Sequence, residues 1–150
     1  MICHGPGHQN IDSAGTRAGA HGREKDCRAC AVIVSDEAIS PCVTVLMGVS
    51  NDVATVLEMV RGVLRQRPVQ ELIVVDDAST DDTWPRLLTI HAARLRLLRQ
   101  AHNRGKGAAL RCAIALARAP FIVIQDTDLE YDPAEYHLLL RPMLIGKADV

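Results

Sequence analysis

FIVIQDTDLEYDP, residues 121–133, is the stretch that decides how this chain folds. A short apolar run, Phe121 to Ile124, stops at two aspartates one residue apart, Asp126 and Asp128. A buried strand ending in Asp-x-Asp brings two hard oxygen donors to one place at a sheet edge. That donor type suits Mg2+ or Mn2+ held together with phosphates. Residues two apart in an extended segment point the same way, so both carboxylates can serve one ion. With VVDDAST (residues 74–80) upstream, the pattern is that of an enzyme handling a nucleotide diphosphate.

Strand and helix signals alternate on either side of this stretch. VTVLMGV (Val43 to Val49) reads as a buried strand. Ser50 or Asn51 is placed to cap a helix whose apolar positions are Val53, Val56, Leu57, Val60 and Leu64, closed by Pro68. ELIVV (Glu71 to Val75) is a second strand, ending in Asp76-Asp77. Thr80 or Asp81 then opens a helix through about Ala93, with Pro85 tolerated in its first turn. LRLLR (Leu95 to Arg99) is a third strand, and Ala108 to Arg118 a small-residue helix suited to close packing on a sheet. Phe121 to Gln125 is the fourth strand. Asp132 caps a last helix with Pro133 at its first position.

Such alternation, with near-continuous apolar strands, predicts a parallel α/β sheet with helices on both faces. Right-handed crossovers set the carboxyl ends of all strands on one edge, where ligands bind at the switch in strand order. For the order 3-2-1-4 that switch lies between the first and fourth strands. Ser50-Asn51-Asp52, Asp76-Asp77 and Asp126-Asp128 then converge on one crevice. Carboxylates so gathered repel one another unless a cation sits among them, and a divalent ion there stabilises charge building on a departing diphosphate. The blander reading of the pair alone is a solvated strand-to-helix turn, where aspartates are common. At the second strand, Asp77 is expected to face ligand and Asp76 to be structural, while Ser79, Thr80 and Asp82 also fit helix capping.

The loop Asn103-Arg104-Gly105-Lys106-Gly107 is not a Walker A sequence, because Lys-Ser or Lys-Thr does not follow its second glycine. Two readings stay open for it: Lys106 or Arg104 meets a phosphate, or the loop enters a helix with solvated charges.

Composition sets bounds. At 150 residues the chain holds one domain at most. Only 3% of residues are aromatic, so the core must be Val, Ile, Leu and Ala. A net charge of −1 without a basic stripe removes the electrostatic case for nucleic acid. Residues 1–41 lack sustained periodicity and read as a disordered extension before a domain at 42–150. Cys27-Arg-Ala-Cys30 in that extension has metal-ligand spacing, but the second pair at defined spacing that a zinc site needs is absent. The N-terminus has no apolar signal-peptide core, and no run of about 18 apolar residues predicts a membrane span. A cytoplasmic setting with reduced thiols is the expectation.

ELIVVDDASTDDT, NRGKGAALRCAIALA, DTDLEYDP and KADV, in that order, closely resemble family 2 glycosyltransferases of the GT-A fold, nearest to polyprenol- or dolichyl-phosphate sugar transferases. The resemblance covers about residues 43–150. It implies a nucleotide-diphosphate-sugar donor, with Asp77 near the base and Asp126 and Asp128 at the metal and diphosphate. Val75 and Thr127 would line the site, and Glu130 would lie just beyond the metal aspartates. Gly48, Ser50, Asp52 and Lys106 complete the expected donor site. Relatives read Pro-x-Tyr-Asn-Glu at the first strand end, where this chain has Gly48, Ser50, Asn51 and Asp52. Ala78 stands where relatives usually carry glycine, and Thr127 where many carry alanine. Further implied are a lipid-phosphate acceptor at a membrane surface and acceptor-side catalytic residues beyond Val150. An open sheet edge would then invite self-association.

Two other classes compete with an active transferase. One is a truncated, non-catalytic nucleotide-binding fragment. The other is a phosphorelay receiver, whose paired acids Asp76-Asp77 and Asp126 superficially mimic; receivers, however, begin with the acid-ending strand, and here Val43 to Val49 precedes it.

Overall fold

A computed structural model describes residues 39–144. The expectations for residues 1–38, Cys27 and Cys30 among them, and for the terminal KADV lie outside the described residues. Four strands, β1 (Val43–Val49), β2 (Val69–Asp76), β3 (Leu95–Arg99) and β4 (Phe121–Ile124), form one sheet in the order β3-β2-β1-β4, all neighbours parallel. The switch in strand order falls between β1 and β4, so the order 3-2-1-4 considered from the sequence is the one observed.

Helices cover both faces. Helix α1 (Val56–Arg65), the short α2 (Thr83–Leu87) and α4 (Tyr136–Leu144), which follows a 3-10 turn at Pro133–Glu135, lie on one side. There Val56, Met59, Val60, Val63, Leu87, Tyr136 and Leu140 pack against Val43, Val45, Met47 and Val74. Helix α3 (Lys106–Ile114) lies on the other, where Ala109 and Ala113 meet Leu46, Ile73 and Val75. Alanines let α3 approach the sheet closely, so the backbone at its start lies near the strand ends.

Tertiary contacts move several helix boundaries. Neither Ser50 nor Asn51 caps α1, which begins only after Thr55. Asn51 takes a left-handed conformation (φ 59°) and its Oδ1 accepts the Thr80 N–H at 2.9 Å, which ties the β1 loop to the β2 loop. Met59 and Val63 join the buried stripe of α1, whereas Leu57 and Leu64 are only partly buried. Helix α2 ends at Leu87 rather than near Ala93, and the Thr89 hydroxyl donates to the Arg86 carbonyl at 2.7 Å, an alternative to helical continuation. Helix α3 stops at Ile114 instead of Arg118. The Arg118 N–H donates to the Glu71 carboxylate at 2.6 Å, and the Ala119 N–H to Thr44 Oγ1 at 3.1 Å. Both are partners on the sheet, and they draw the chain out of the helix into β4.

Candidate functional site

The register places the site. Val49 pairs with Asp76 and Leu46 with Ile124, so β1, β2 and β4 end at the same edge. Beyond those ends lies a cavity of about 240 Å3 lined by Gly48, Ser50, Asp52, Asp77, Lys106, Asp126, Thr127 and Asp128, together with Val49 and Ala109. Eight of the ten residues expected from sequence are thus brought together. Val75 and Glu130 are not in the lining. Val75 is 1% exposed, its side chain in the core beneath α3, and Glu130 is exposed on the loop after Asp128, where its N–H donates to Asp128 Oδ1 at 3.2 Å.

Asp76 and Asp77 divide their work. Asp76 is fully buried and pairs with Arg99 at 3.0 Å. Arg99 also donates to the Ser79 carbonyl at 2.9 Å and lies over the Trp84 ring. Asp76 is therefore structural, as expected. Asp77 lines the cavity, yet its two oxygens accept the backbone N–H groups of Arg104 and Gly105 at 2.8 and 2.7 Å. A carboxylate oxygen can accept a second bond, so Asp77 both faces the cavity and anchors the loop that opens α3. Gly105 has φ 83°, with nothing within 4 Å of an added Cβ; backbone conformation rather than space demands glycine there.

Lys106, the first residue of α3, reaches across the cavity to form an ion pair with Asp126. Gly48 leaves room for this: a Cβ there would sit 3.7 Å from Lys106 Cγ and 3.5 Å from Ala109 Cβ. Asp126 Oδ1 is buried and, apart from the Lys106 contact, has no hydrogen bond of ordinary geometry.

Sequence reasoning missed Gln125. Its side chain is almost wholly buried, with Nε2 donating to the carbonyls of Asp126 and Tyr131 at 3.1 Å each. Its Oε1 accepts the Tyr136 hydroxyl at 2.7 Å. Gln125 thus shapes the Asp126–Asp128 loop and fastens it to α4. The available signal was a polar residue at the last position of an apolar strand. Burial pushes the Tyr136 phenol up from its ordinary value.

The donor set suits a hard divalent ion. Among the described residues no group of three or more His, Cys, Asp or Glu gathers at one point. Two carboxylates lining one cavity match the way Mg2+ or Mn2+ is bound by one or two carboxylates plus substrate phosphates.

Similarity to solved glycosyltransferases defines the class: the parallel sheet with helices on both faces is the GT-A fold. The chain belongs to glycosyl transferase family 2, whose family model matches residues 44–150. It is 35% identical over 89 residues to the succinoglycan biosynthesis protein ExoO of Rhizobium meliloti, a match covering 59% of this chain and 26% of ExoO. It is 30% identical over 87 residues to the UDP-Glc:alpha-D-GlcNAc-diphosphoundecaprenol beta-1,3-glucosyltransferase WfaP of Escherichia coli, covering 57% of this chain and 35% of WfaP. The chain therefore spans about a third or less of these relatives. Among solved structures it is similar to glucosyl-3-phosphoglycerate synthase from Mycobacterium tuberculosis in complex with Mn2+, UDP-glucose and phosphoglyceric acid. That similarity has a TM-score of 0.58 and 28% identity, and covers 71% of this chain and 41% of the synthase. Family membership sets the phosphorelay alternative aside.

Among the described residues, no helix is long and apolar enough to cross a membrane.

Proposed function

We propose that residues 42–150 form the nucleotide-sugar-binding part of a sugar transferase, taking a nucleoside diphosphate sugar together with Mg2+ or Mn2+. The observation that carries this reading is the convergence of Asp126, Asp128, Asp77 and Lys106 on one cavity at the switch point. Asp126 and Asp128 would hold the metal, whose chemistry is to offset charge on the departing diphosphate. Lys106 supplies an ammonium within the same cavity. Gly48 and Ser50 offer a floor free of bulky side chains, and Asp52 holds that turn by accepting the Ser50 N–H at 2.8 Å. Asp77 keeps the α3 loop in place against the donor and Thr127 lines the wall, while the Glu130 N–H holds Asp128. Mn2+ and UDP-glucose in the mycobacterial synthase support a uridine donor, and the GlcNAc-diphosphoundecaprenol in the name of WfaP supports a polyprenol-linked acceptor.

Calorimetry with UDP in the presence and absence of Mn2+ tests the reading. Metal-dependent binding is expected, and it should disappear in the Asp126→Ala, Asp128→Ala double variant. Equal affinity in that variant would remove the metal assignment.

Self-association belongs to the same proposal. Among the described residues β4 pairs only with β1, and Ile122 and Ile124 are 43% and 53% exposed beside it. An unpaired strand edge with apolar neighbours favours edge-to-edge contact. Sedimentation should show concentration-dependent association that Ile122→Lys suppresses.

A further inference from the structure

We propose that Lys106 is a built-in counter-cation for Asp126, which a divalent metal must displace and which is thereby released toward the donor's diphosphate. The inference rests on the donor-site reading above and adds an exchange to it. Four aspartates and one lysine line the cavity: Asp52, Asp77, Asp126 and Asp128 against Lys106. Three of the acids have local tasks, Asp128 by accepting the Glu130 N–H at 3.2 Å. Asp77 accepts the Arg104 and Gly105 N–H groups, and Asp52 the Ser50 N–H. The Lys106 ammonium lies against the buried Oδ1 of Asp126, the oxygen with no other partner.

The same oxygen cannot hold both cations. An ammonium in contact with Asp126 would compete with a metal held by Asp126 and Asp128, because two cations at one carboxylate repel. Lys106 is the partner free to yield. Its side chain is 53% exposed, it rotates about four bonds, and the glycine at position 48 leaves its stem room to turn. Once turned from Asp126, it has the phosphates beside the metal as the nearest anions to meet. One residue therefore acts with opposite sign on the two ligands: it weakens metal binding alone and strengthens nucleotide binding once metal is present.

The test uses the whole 150-residue chain and its Lys106→Gln variant, with Lys106→Met as a second neutral replacement. Free Mn2+ is followed by electron paramagnetic resonance, and UDP binding at saturating Mn2+ by calorimetry. Loss of the ammonium is expected to tighten Mn2+ roughly two- to fivefold, the range a half-exposed ion pair is worth. It should weaken UDP about tenfold, the effect of one lost charge-assisted hydrogen bond. Mn2+ affinity that is unchanged or weaker in both variants would overturn the exchange while leaving the donor site standing. UDP affinity unchanged in both would overturn the release to phosphate. Failure of the unaltered chain to bind either Mn2+ or UDP would overturn the donor-site reading itself, and the exchange with it.

Discussion

Asp77, the first residue beyond β2, accepts the backbone N–H of Gly105 at 2.7 Å, and so a carboxylate at a strand end fixes the start of a helix 28 residues away. The neighbouring Arg104 N–H occupies the other oxygen at 2.8 Å. This clamp sets where Lys106 leaves the backbone, and thereby lets it reach Asp126.

Asp77→Ala should unlatch that loop. Two backbone donors lose a charged acceptor, and the cost expected is about 1.5–3 kcal/mol in urea unfolding. UDP affinity should fall as well, because Lys106 loses its fixed origin. A stability loss below about 0.5 kcal/mol would show that water replaces the carboxylate without penalty.

Ala78→Gly should stabilise the domain. Ala78 holds φ 57°, a left-handed conformation that costs a residue with a Cβ about 1–2 kcal/mol. The greater freedom of glycine when unfolded offsets part of the gain. A net increase of about 0.5–1 kcal/mol in unfolding free energy is expected. A decrease would mean that the alanine methyl makes compensating contacts.

Tyr136→Phe should act differently at neutral and alkaline pH. Near neutrality the variant leaves buried Gln125 Oε1 without its donor, at a cost of about 1–3 kcal/mol. Burial raises the folded phenol above its ordinary 10.0. The stability this phenol contributes is therefore complete below pH 10 and lost as pH climbs above it, because only the unfolded chain then ionises. Wild-type stability should fall above that pH by up to about 1.4 kcal/mol per unit more steeply than the variant's. Parallel pH profiles for the two proteins would refute the assignment.

Transfer of sugar by a polypeptide of residues 42–150 alone is expected to be far slower than by a full-length family 2 transferase. Orienting an acceptor against the donor is worth roughly 7–11 kcal/mol of barrier. The described cavity is built from the ends of β1, β2 and β4 and the start of α3. Labelled nucleotide-sugars with polyprenol phosphate provide the measurement, and lipid-linked product at a rate near that of a full-length transferase would contradict the expectation.

The sheet was legible in the sequence because its signal is local. Apolar runs at Val43–Val49 and Phe121–Ile124, ending in polar residues, specify parallel strands. Yet β4 lies at the edge of the described sheet, with Ile122 and Ile124 exposed where the apolar run predicts a buried strand. The Asp126-x-Asp128 spacing alone puts two carboxylates at a strand end. Pro133 after Asp132 announced the last helical turn for the same reason, and the Asp132 carboxylate accepts the Ala134 N–H at 2.9 Å.

What only the tertiary structure decided is where partners distant in sequence outcompete local preference. Asn51 turns left-handed to meet Thr80 instead of capping α1, and Arg118 leaves its helix for Glu71. Gln125, unremarked in the sequence, organises the aspartate loop because Tyr136 folds back onto it. The Lys106–Asp126 pair exists only because parallel crossovers bring the start of α3 over Gly48 beside the end of β4. Periodicity encodes which face of an element is buried. The pairing of polar groups between elements depends on strand order and register, and these arise only when the whole sheet assembles.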